Sequence, residues 1–227
     1  RGPDSLSGKR RSAPFSEDLE KACSLPVDHL SAYILTVEDR TVLGKNVQKG
    51  LDSVAPESLV EAEYAELCSY ASKAGFDHYE VSNFARSMGY AQHNQHYWTG
   101  LPYIGIGPGA HGFDGKQRSA NVSNNPAYIA QVSKANELDD IKVEREQLKP
   151  QDRYNEHLMT GLRTKKGIDV SALESSFGYN PIGEDPALWN RYINDQTILA
   201  LGAGRFRIRE ENWLVADRVA SAFFVVD

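Results

Sequence analysis

The sequence is poor in cysteine, with Cys23 and Cys68 the only two in 227 residues. Two thiols so far apart cannot supply the ligands of an iron–sulfur cluster or of a four-coordinate structural zinc, so any cluster has to be held by residues outside this chain. Each cysteine sits in a segment with an amphipathic helical pattern and is expected to be a buried apolar residue. Positive charge is also in short supply: Lys and Arg total 25 against 31 Asp and Glu, a formal charge of -6. No surplus is left to neutralise a phosphate backbone, which argues against broad nucleic-acid binding. Long apolar runs are missing too. None approaches the roughly 18 residues needed to cross a bilayer, and Arg1 to Pro14 lacks the apolar segment of a signal peptide. No transmembrane segment and a cytoplasmic location are therefore expected. What remains is ordinary for a globular chain, 41% hydrophobic and 10% aromatic, enough for one large domain or two small ones.

Residues 1–14 combine turn formers and charges without a hydrophobic period and are expected to be a flexible arm. Ser16 has the character of an N-cap, followed by acidic residues and an apolar stripe of Leu19, Ala22 and Cys23, so a short helix should end before Pro26. His29 to Val37 is almost continuously apolar or β-branched, the pattern of a strand buried on both faces of a parallel sheet. Pro56 opens a helix whose stripe of Leu59, Val60, Tyr64, Leu67, Cys68 and Ala71 runs to Gly75, and Phe76 to Ser82 follows as a strand. Strand, helix, glycine and strand predict a βαβ unit, with functional residues at the carboxyl ends of its strands: Thr36 to Glu38 and Asn83 to Arg86. A third strand is expected at Tyr103 to Ile106, then a short strand at Arg118 to Ser123 and a helix at Pro126 to Ala135.

Beyond about residue 140 the pattern changes to helices and one β-hairpin. A helix after Pro150 carries Tyr154, Leu158 and Leu162 on one face. Ser171 to Glu174 has the form of a capping box. Trp189 to Ile193 reads as helix, Arg205 to Arg209 as strand, and Trp213 to Phe224 as a closing amphipathic helix. The expected organisation is α/β: an arm (1–14), part of a barrel (15–140) and a small helical, winged-helix-like domain (141–227). Two or three parallel strands cannot close a barrel, so the chain is expected to be part of a larger fold.

Three segments are candidates for chemistry. His93-Asn94-Gln95-His96-Tyr97-Trp98 sets two imidazoles beside two large aromatics; imidazole ligates haem iron, and flat apolar walls suit a porphyrin. The same residues also read as aromatics packing a loop while the histidines hydrogen-bond backbone. The glycine-rich turn from Gly105 to Gly112 offers amides unobstructed by side chains, suited to a nucleotide or carboxylate, or simply makes a tight turn at the rim. Glu80, Asn83 and Arg86 either face a pocket or form a structural hydrogen-bond network.

The segments HLSAYILTVE (29–38), YEVSNFAR (79–86), HNQHYW (93–98), YIGIGPGAHG (103–112) and LMTGLRTKKGID (158–169), in this order and spacing, resemble radical S-adenosylmethionine proteins related to oxygen-independent coproporphyrinogen III oxidase. The H-N-x-x-Y-W string is similar to the branch regarded as haem chaperones. The resemblance covers residues 16–227.

It implies the later strands of a partial (βα)6, TIM-like barrel followed by the family's helical domain. In the full-length parent it implies S-adenosylmethionine and a [4Fe-4S] cluster, whose C-x-x-x-C-x-x-C motif is absent here. Carried over by position, Thr36, Gly107, Gly109, Ala110 and His111 fall where relatives contact S-adenosylmethionine or line its cavity. His93 falls where the chaperone branch ligates haem iron, with His96 its competitor and Tyr97 beside them. The leading expectation is a haem-binding chaperone with a haem-acceptor protein as partner and no catalytic residue in this chain. The alternative is oxidative decarboxylation of coproporphyrinogen III by a complete parent. A winged-helix nucleic-acid module is the distant third, because the segment Ser171 to Phe177 that would enter the groove carries Glu174 and no Lys or Arg.

Overall fold

The computed structural model describes residues 14–87, 89–137 and 140–226, so the expected arm lies, Pro14 apart, outside the described residues. The chain divides into two compact units, Arg1–Tyr90 and Ala91–Asp227.

In the first unit, α1 (Phe15–Ser24) turns Leu19 and Cys23 inward. It starts after Pro14, whose fixed φ already suits the turn, so the expected N-cap, Ser16, lies inside the helix. Helix α3 (Glu57–Lys73) buries Tyr64, Leu67 and Ala71 at the predicted spacing, and Cys68 is only half-buried. Between them lies α2 (Val42–Gln48), unforeseen in the sequence, whose N-cap Thr41 accepts the Gly44 N–H at 3.0 Å.

The sheet departs from the expected βαβ pairing. Strand β1 is only His29–Ser31, β2 is Asp77–Glu80 and β3 is Asn83–Ala85, in the order β1-β3-β2 with both pairings antiparallel. Thus β1 and β2 do run parallel, but β3 lies between them. The cause is a side-chain turn: Glu80 Oε1 accepts the Ser82 backbone N–H at 3.1 Å and the Asn83 side-chain amide, which reverses the chain after Glu80. The long strand predicted to Val37 stops at Ser31 because β3 is its one neighbour; past a last bond from Ala32 N–H to the Ser82 carbonyl it pairs with nothing among the described residues. Tyr33, Ile34 and Leu35 are left 66%, 46% and 43% exposed.

The second unit holds two more three-stranded antiparallel sheets. One comprises β4 (His111–Phe113), β5 (Gln117–Asn121) and β6 (Val143–Gln147) in that order. The strand expected at Tyr103 to Ile106 reduces to a single bridge between Tyr103 and Phe113. Helices α4 (Gln92–Trp98) and α5 (Asn125–Val132) precede and follow the β4–β5 hairpin.

The rest is helical around a second sheet. Helix α6 (Pro150–Leu162) sends Tyr154, Leu158 and Leu162 fully inward. After β7 (Ile168–Asp169) and α7 (Val170–Phe177) come α8 (Pro181–Glu184) and α9 (Pro186–Asn194), then the hairpin of β8 (Ile198–Gly202) and β9 (Arg205–Ile208). Helix α7 is capped by Asp169, whose Oδ1 accepts the Ala172 N–H at 3.0 Å, and not by Ser171 as predicted. The predicted closing helix is a 3-10 turn, Glu210–Val215, followed by α10 (Ala216–Ser221), and α10 packs on α6. Gly167 makes the closest backbone approach: at φ +69°, a Cβ there would stand 2.1 Å from the Phe206 carbonyl oxygen of β9. Trp189 meets the Phe206 and Phe223 rings edge-on at 5.1 and 5.2 Å, closing this core. Among the described residues no helix is long and apolar enough to cross a membrane.

Candidate functional site

The string His93 to Trp98 is helical, occupying all but the first residue of α4. A helix places residues three and four apart on one face, so His93, His96 and Tyr97 share a side. All three are exposed, Tyr97 by 50%. Two imidazoles one turn apart, with a phenol beside them, thus face solvent. Among the described residues no group of three or more His, Cys, Asp or Glu side chains converges as a metal site.

The chain leaves α4 through Gly100 at φ +66°, where a Cβ would stand 2.8 Å from His157 Cε1, so only glycine lets α4 end against α6. Behind α4 lies a cavity of about 390 Å³. Its aromatic wall is a chain of rings: Tyr97 lies 5.4 Å from Trp98 and 5.8 Å from Tyr103, and Tyr103 lies 6.2 Å from Phe113. Phe224 lines it from the end of the chain. Burial, reinforced by Tyr97, pushes the Tyr103 hydroxyl pKa up.

Opposite stands one face of α6, carrying Arg153, Glu156 and His157, with Arg163 at the residue that caps its end. Arg118 of β5 ion-pairs with Glu156 and lies 3.8 Å from Glu146. Burial opposes its charge, but the two carboxylates outweigh that and hold its pKa above the ordinary value. Arg163 ion-pairs with the exposed Asp217 at 3.3 Å and sits 5.5 Å over the Trp98 ring. Arg153 lies 5.3 Å over Phe177. The Nε atoms of Arg153 and Arg163 and the indole Nε1 of Trp98 are buried without a hydrogen-bond partner. His157 donates from Nδ1 to the Arg153 carbonyl at 3.1 Å, and burial pushes its pKa down.

The glycine-rich turn uses its own amides. Gly107 N–H donates to Tyr128 Oη at 3.1 Å, Gly109 N–H to the Val122 carbonyl at 3.0 Å, and Ala110 N–H to the Gly107 carbonyl at 3.3 Å. Asn121 Nδ2 clamps the Gly105 and Gly107 carbonyls at 3.1 and 2.9 Å. This is the hydrogen bonding of a tight structural turn, with those three amides already engaged. Ala110 is half-buried, and His111 is exposed on β4 opposite Ala120.

In the first unit Thr36 is exposed on the unpaired stretch after β1. Glu80 and Asn83 are buried, and Ser31 Oγ donates to Asn83 Oδ1 at 2.5 Å. Arg86 donates to the Cys23 carbonyl at 2.9 Å and covers the Phe76 ring at 4.1 Å. These three residues form the structural network, one of the two readings the sequence left open. Burial pushes the Cys23 thiol pKa up, against the pull of Arg86. A buried Cys23 and a Cys68 whose Sγ lies 3.8 Å from His78 Nδ1 do not fit a cluster that needs three thiolates.

Sequence reasoning singled out His93, His96 and Tyr97 and did not single out Arg118, Arg153, His157 and Arg163, which line the cavity. The available signal was the polar face of α6, at positions 153, 156/157, 160 and 163 opposite the Tyr154–Leu162 stripe. Such a face reads first as one in contact with solvent.

Residues 148–215 match the family model of the HemN C-terminal domain. Over 208 residues the chain is 32% identical to radical S-adenosyl methionine domain-containing protein 1, mitochondrial, of Danio rerio, covering 88% of this chain and 45% of that protein. It is 34% identical over 168 residues to heme chaperone HemW of Synechocystis, covering 74% of this chain and 40% of the relative. HemW of Bacillus subtilis is 29% identical over 77% of this chain and 45% of its own length. The chain thus spans less than half the length of these curated relatives. Its fold is similar to that of Escherichia coli coproporphyrinogen III oxidase (HemN), a radical SAM enzyme, with a TM-score of 0.69 at 15% identity over 93% of this chain and 51% of that one.

Proposed function

Since the chain belongs to the HemN-like family of radical S-adenosylmethionine proteins, on its heme-chaperone HemW branch, we propose that it binds haem and presents it for delivery to an acceptor protein. The observation that carries this reading is the single exposed face of α4 formed by His93, His96 and Tyr97 beside an aromatic cavity. His93 is the proposed iron ligand and His96 its competitor. An exposed ligand suits cargo, because a porphyrin held from one side stays accessible to the protein that takes it. Haem is here a substrate to be carried, and no chemistry on it is required of this chain.

The full-length parent is proposed to hold S-adenosylmethionine and a [4Fe-4S] cluster, the latter on cysteines outside this chain. Thr36, Gly107, Gly109, Ala110 and His111 are proposed to line the nucleotide side. Because the amides at 107, 109 and 110 are engaged, the remaining contribution of this turn is close approach of its backbone and carbonyls. The division into a barrel portion (15–140) and a helical domain (141–227) belongs to the same proposal, supported for the latter by the match over residues 148–215. So does a cytoplasmic location, consistent with two cysteines that form no disulfide. Oxidative decarboxylation has only the likeness of fold in its favour.

The test is a haem titration of the chain, of His93→Ala and of His96→Ala, followed in the Soret band. Loss of the ligated spectrum in His93→Ala, with His96→Ala retaining it, is expected. A spectrum unchanged in both variants, and in the double variant, overturns the assignment.

A further inference from the structure

The cavity behind α4 has a charge pattern that haem ligation by His93 does not use. Three guanidinium groups line it, Arg118, Arg153 and Arg163, and Glu156 is the one carboxylate among its lining residues. Glu156 is consumed by Arg118. Arg163 pairs with Asp217, whose side chain is 62% exposed, and an exposed pair of that kind exchanges readily with another anion. Arg153 rests on an aromatic ring. Three buried N–H donors, Nε of Arg153, Nε of Arg163 and Nε1 of Trp98, have no acceptor. These three atoms are closed to water, so they mark an uncompensated cluster of donors around the cavity and are not contacts that a ligand oxygen makes directly.

We propose that this cavity is a carboxylate subsite for the porphyrin's acidic edge, with Arg153 and Arg163 as its anion-binding residues. A carboxylate accepts from a guanidinium in fixed, planar geometry, and the flat walls of Tyr97, Trp98, Tyr103 and Phe113 suit the ring edge that bears it. At about 390 Å³ the cavity takes an edge of a macrocycle and not the whole of it, which leaves the metal centre outside. Helix α4 serves both parts, since it carries the exposed imidazoles and, at Tyr97 and Trp98, two walls of the cavity. The inference rests on the haem reading above and adds to it which end of the ligand is gripped.

The test compares protoporphyrin IX with its dimethyl ester, and haem with its dimethyl ester, on the 227-residue chain and on Arg153→Gln, Arg163→Gln and Arg153→Lys. Diacid porphyrins are expected to bind about 10- to 100-fold more tightly than the esters. Each glutamine variant should remove most of that preference, read as the ratio of diacid to ester affinity, and Arg153→Lys should keep part of it. Millimolar S-adenosylmethionine should not displace the porphyrin; displacement would assign the cavity to the nucleotide and overturn the proposal. Equal affinity for diacid and ester in the unaltered chain overturns it as well, even if a glutamine variant fails to fold. If haem binds, depends on His93 and shows no preference for the free acid, the subsite is wrong and the haem reading stands. If neither porphyrin binds, both fail together.

Discussion

Asn155 and Val225 hold each other through both halves of an amide pair: Asn155 Nδ2 donates to the Val225 carbonyl at 2.8 Å, and the Val225 N–H donates to Asn155 Oδ1 at 2.9 Å. This pair fastens the end of the chain to α6, with Phe223 in the core and Phe224 in the cavity wall. Asn155→Ala removes the partners of both the Val225 N–H and the Val225 carbonyl and should cost about 1–3 kcal/mol. Denaturant unfolding followed by tryptophan fluorescence reads this directly, since Trp98, Trp189 and Trp213 all lie in the second unit. An unchanged midpoint would show that the tie contributes nothing.

Gly100 makes a sharper case. Alanine there meets a left-handed backbone at φ +66° and a His157 Cε1 only 2.8 Å away. The backbone strain alone is about 1–2 kcal/mol, and the clash adds to it. Gly100→Ala should therefore lower Tm, and a second change, His157→Ala, should recover the clash portion but not the strain. A double-mutant cycle with no coupling between the two sites would contradict the contact.

His157 also sets a pH dependence. Burial lowers its pKa below the ordinary value of 6.5 in the folded chain, so on acidification the unfolded chain takes up its proton first. Stability from this group is complete above about pH 6.5 and falls as pH drops towards the folded pKa, by at most about 1.4 kcal/mol per pH unit. His29 is shifted the same way by burial and acts in the same window in the first unit. The lowered carboxyls of Asp114, Asp140 and Asp195 act in the same direction, but only below their ordinary 3.8. Between pH 7.5 and 5 the unfolding midpoint of the unaltered chain should decline, and His157→Gln should decline less. Parallel declines would place the titrating group elsewhere.

How far the sequence revealed these features depended on whether the deciding interaction was local. Helices α3 and α6 were legible because their stripes, Tyr64–Leu67–Ala71 and Tyr154–Leu158–Leu162, repeat at the helical period, and α3 also ends at a recognisable stop, Gly75. The β2–β3 reversal was not, since it depends on Glu80 and Asn83 bonding within a four-residue turn that composition presents as the end of a strand. In the site, His93, His96 and Tyr97 stood out through their joint occurrence. The arginines did not, because Arg118 comes from β5, Arg153 from α6 and Arg163 from the cap that ends α6, and only the fold brings these elements around one cavity.

The apolar stretch after β1 gives the last prediction. Tyr33, Ile34 and Leu35 follow one another on a segment that pairs with no strand among the described residues, and about half of their surface stays exposed. Consecutive exposed apolar side chains next to free backbone amides and carbonyls are a template for pairing with another chain. The isolated 227-residue chain should therefore bind a hydrophobic dye and scatter more light as its concentration rises. Ile34→Lys puts a charge on that edge, where the half-buried Ile34 shares a small cavity with Val60, Tyr64 and Leu67, so it should suppress both signals while lowering stability by no more than about 1 kcal/mol. Dye binding and scattering unaffected by Ile34→Lys would mean that the edge is not the sticky surface. A large loss of stability would mean that Ile34 is packed in solution.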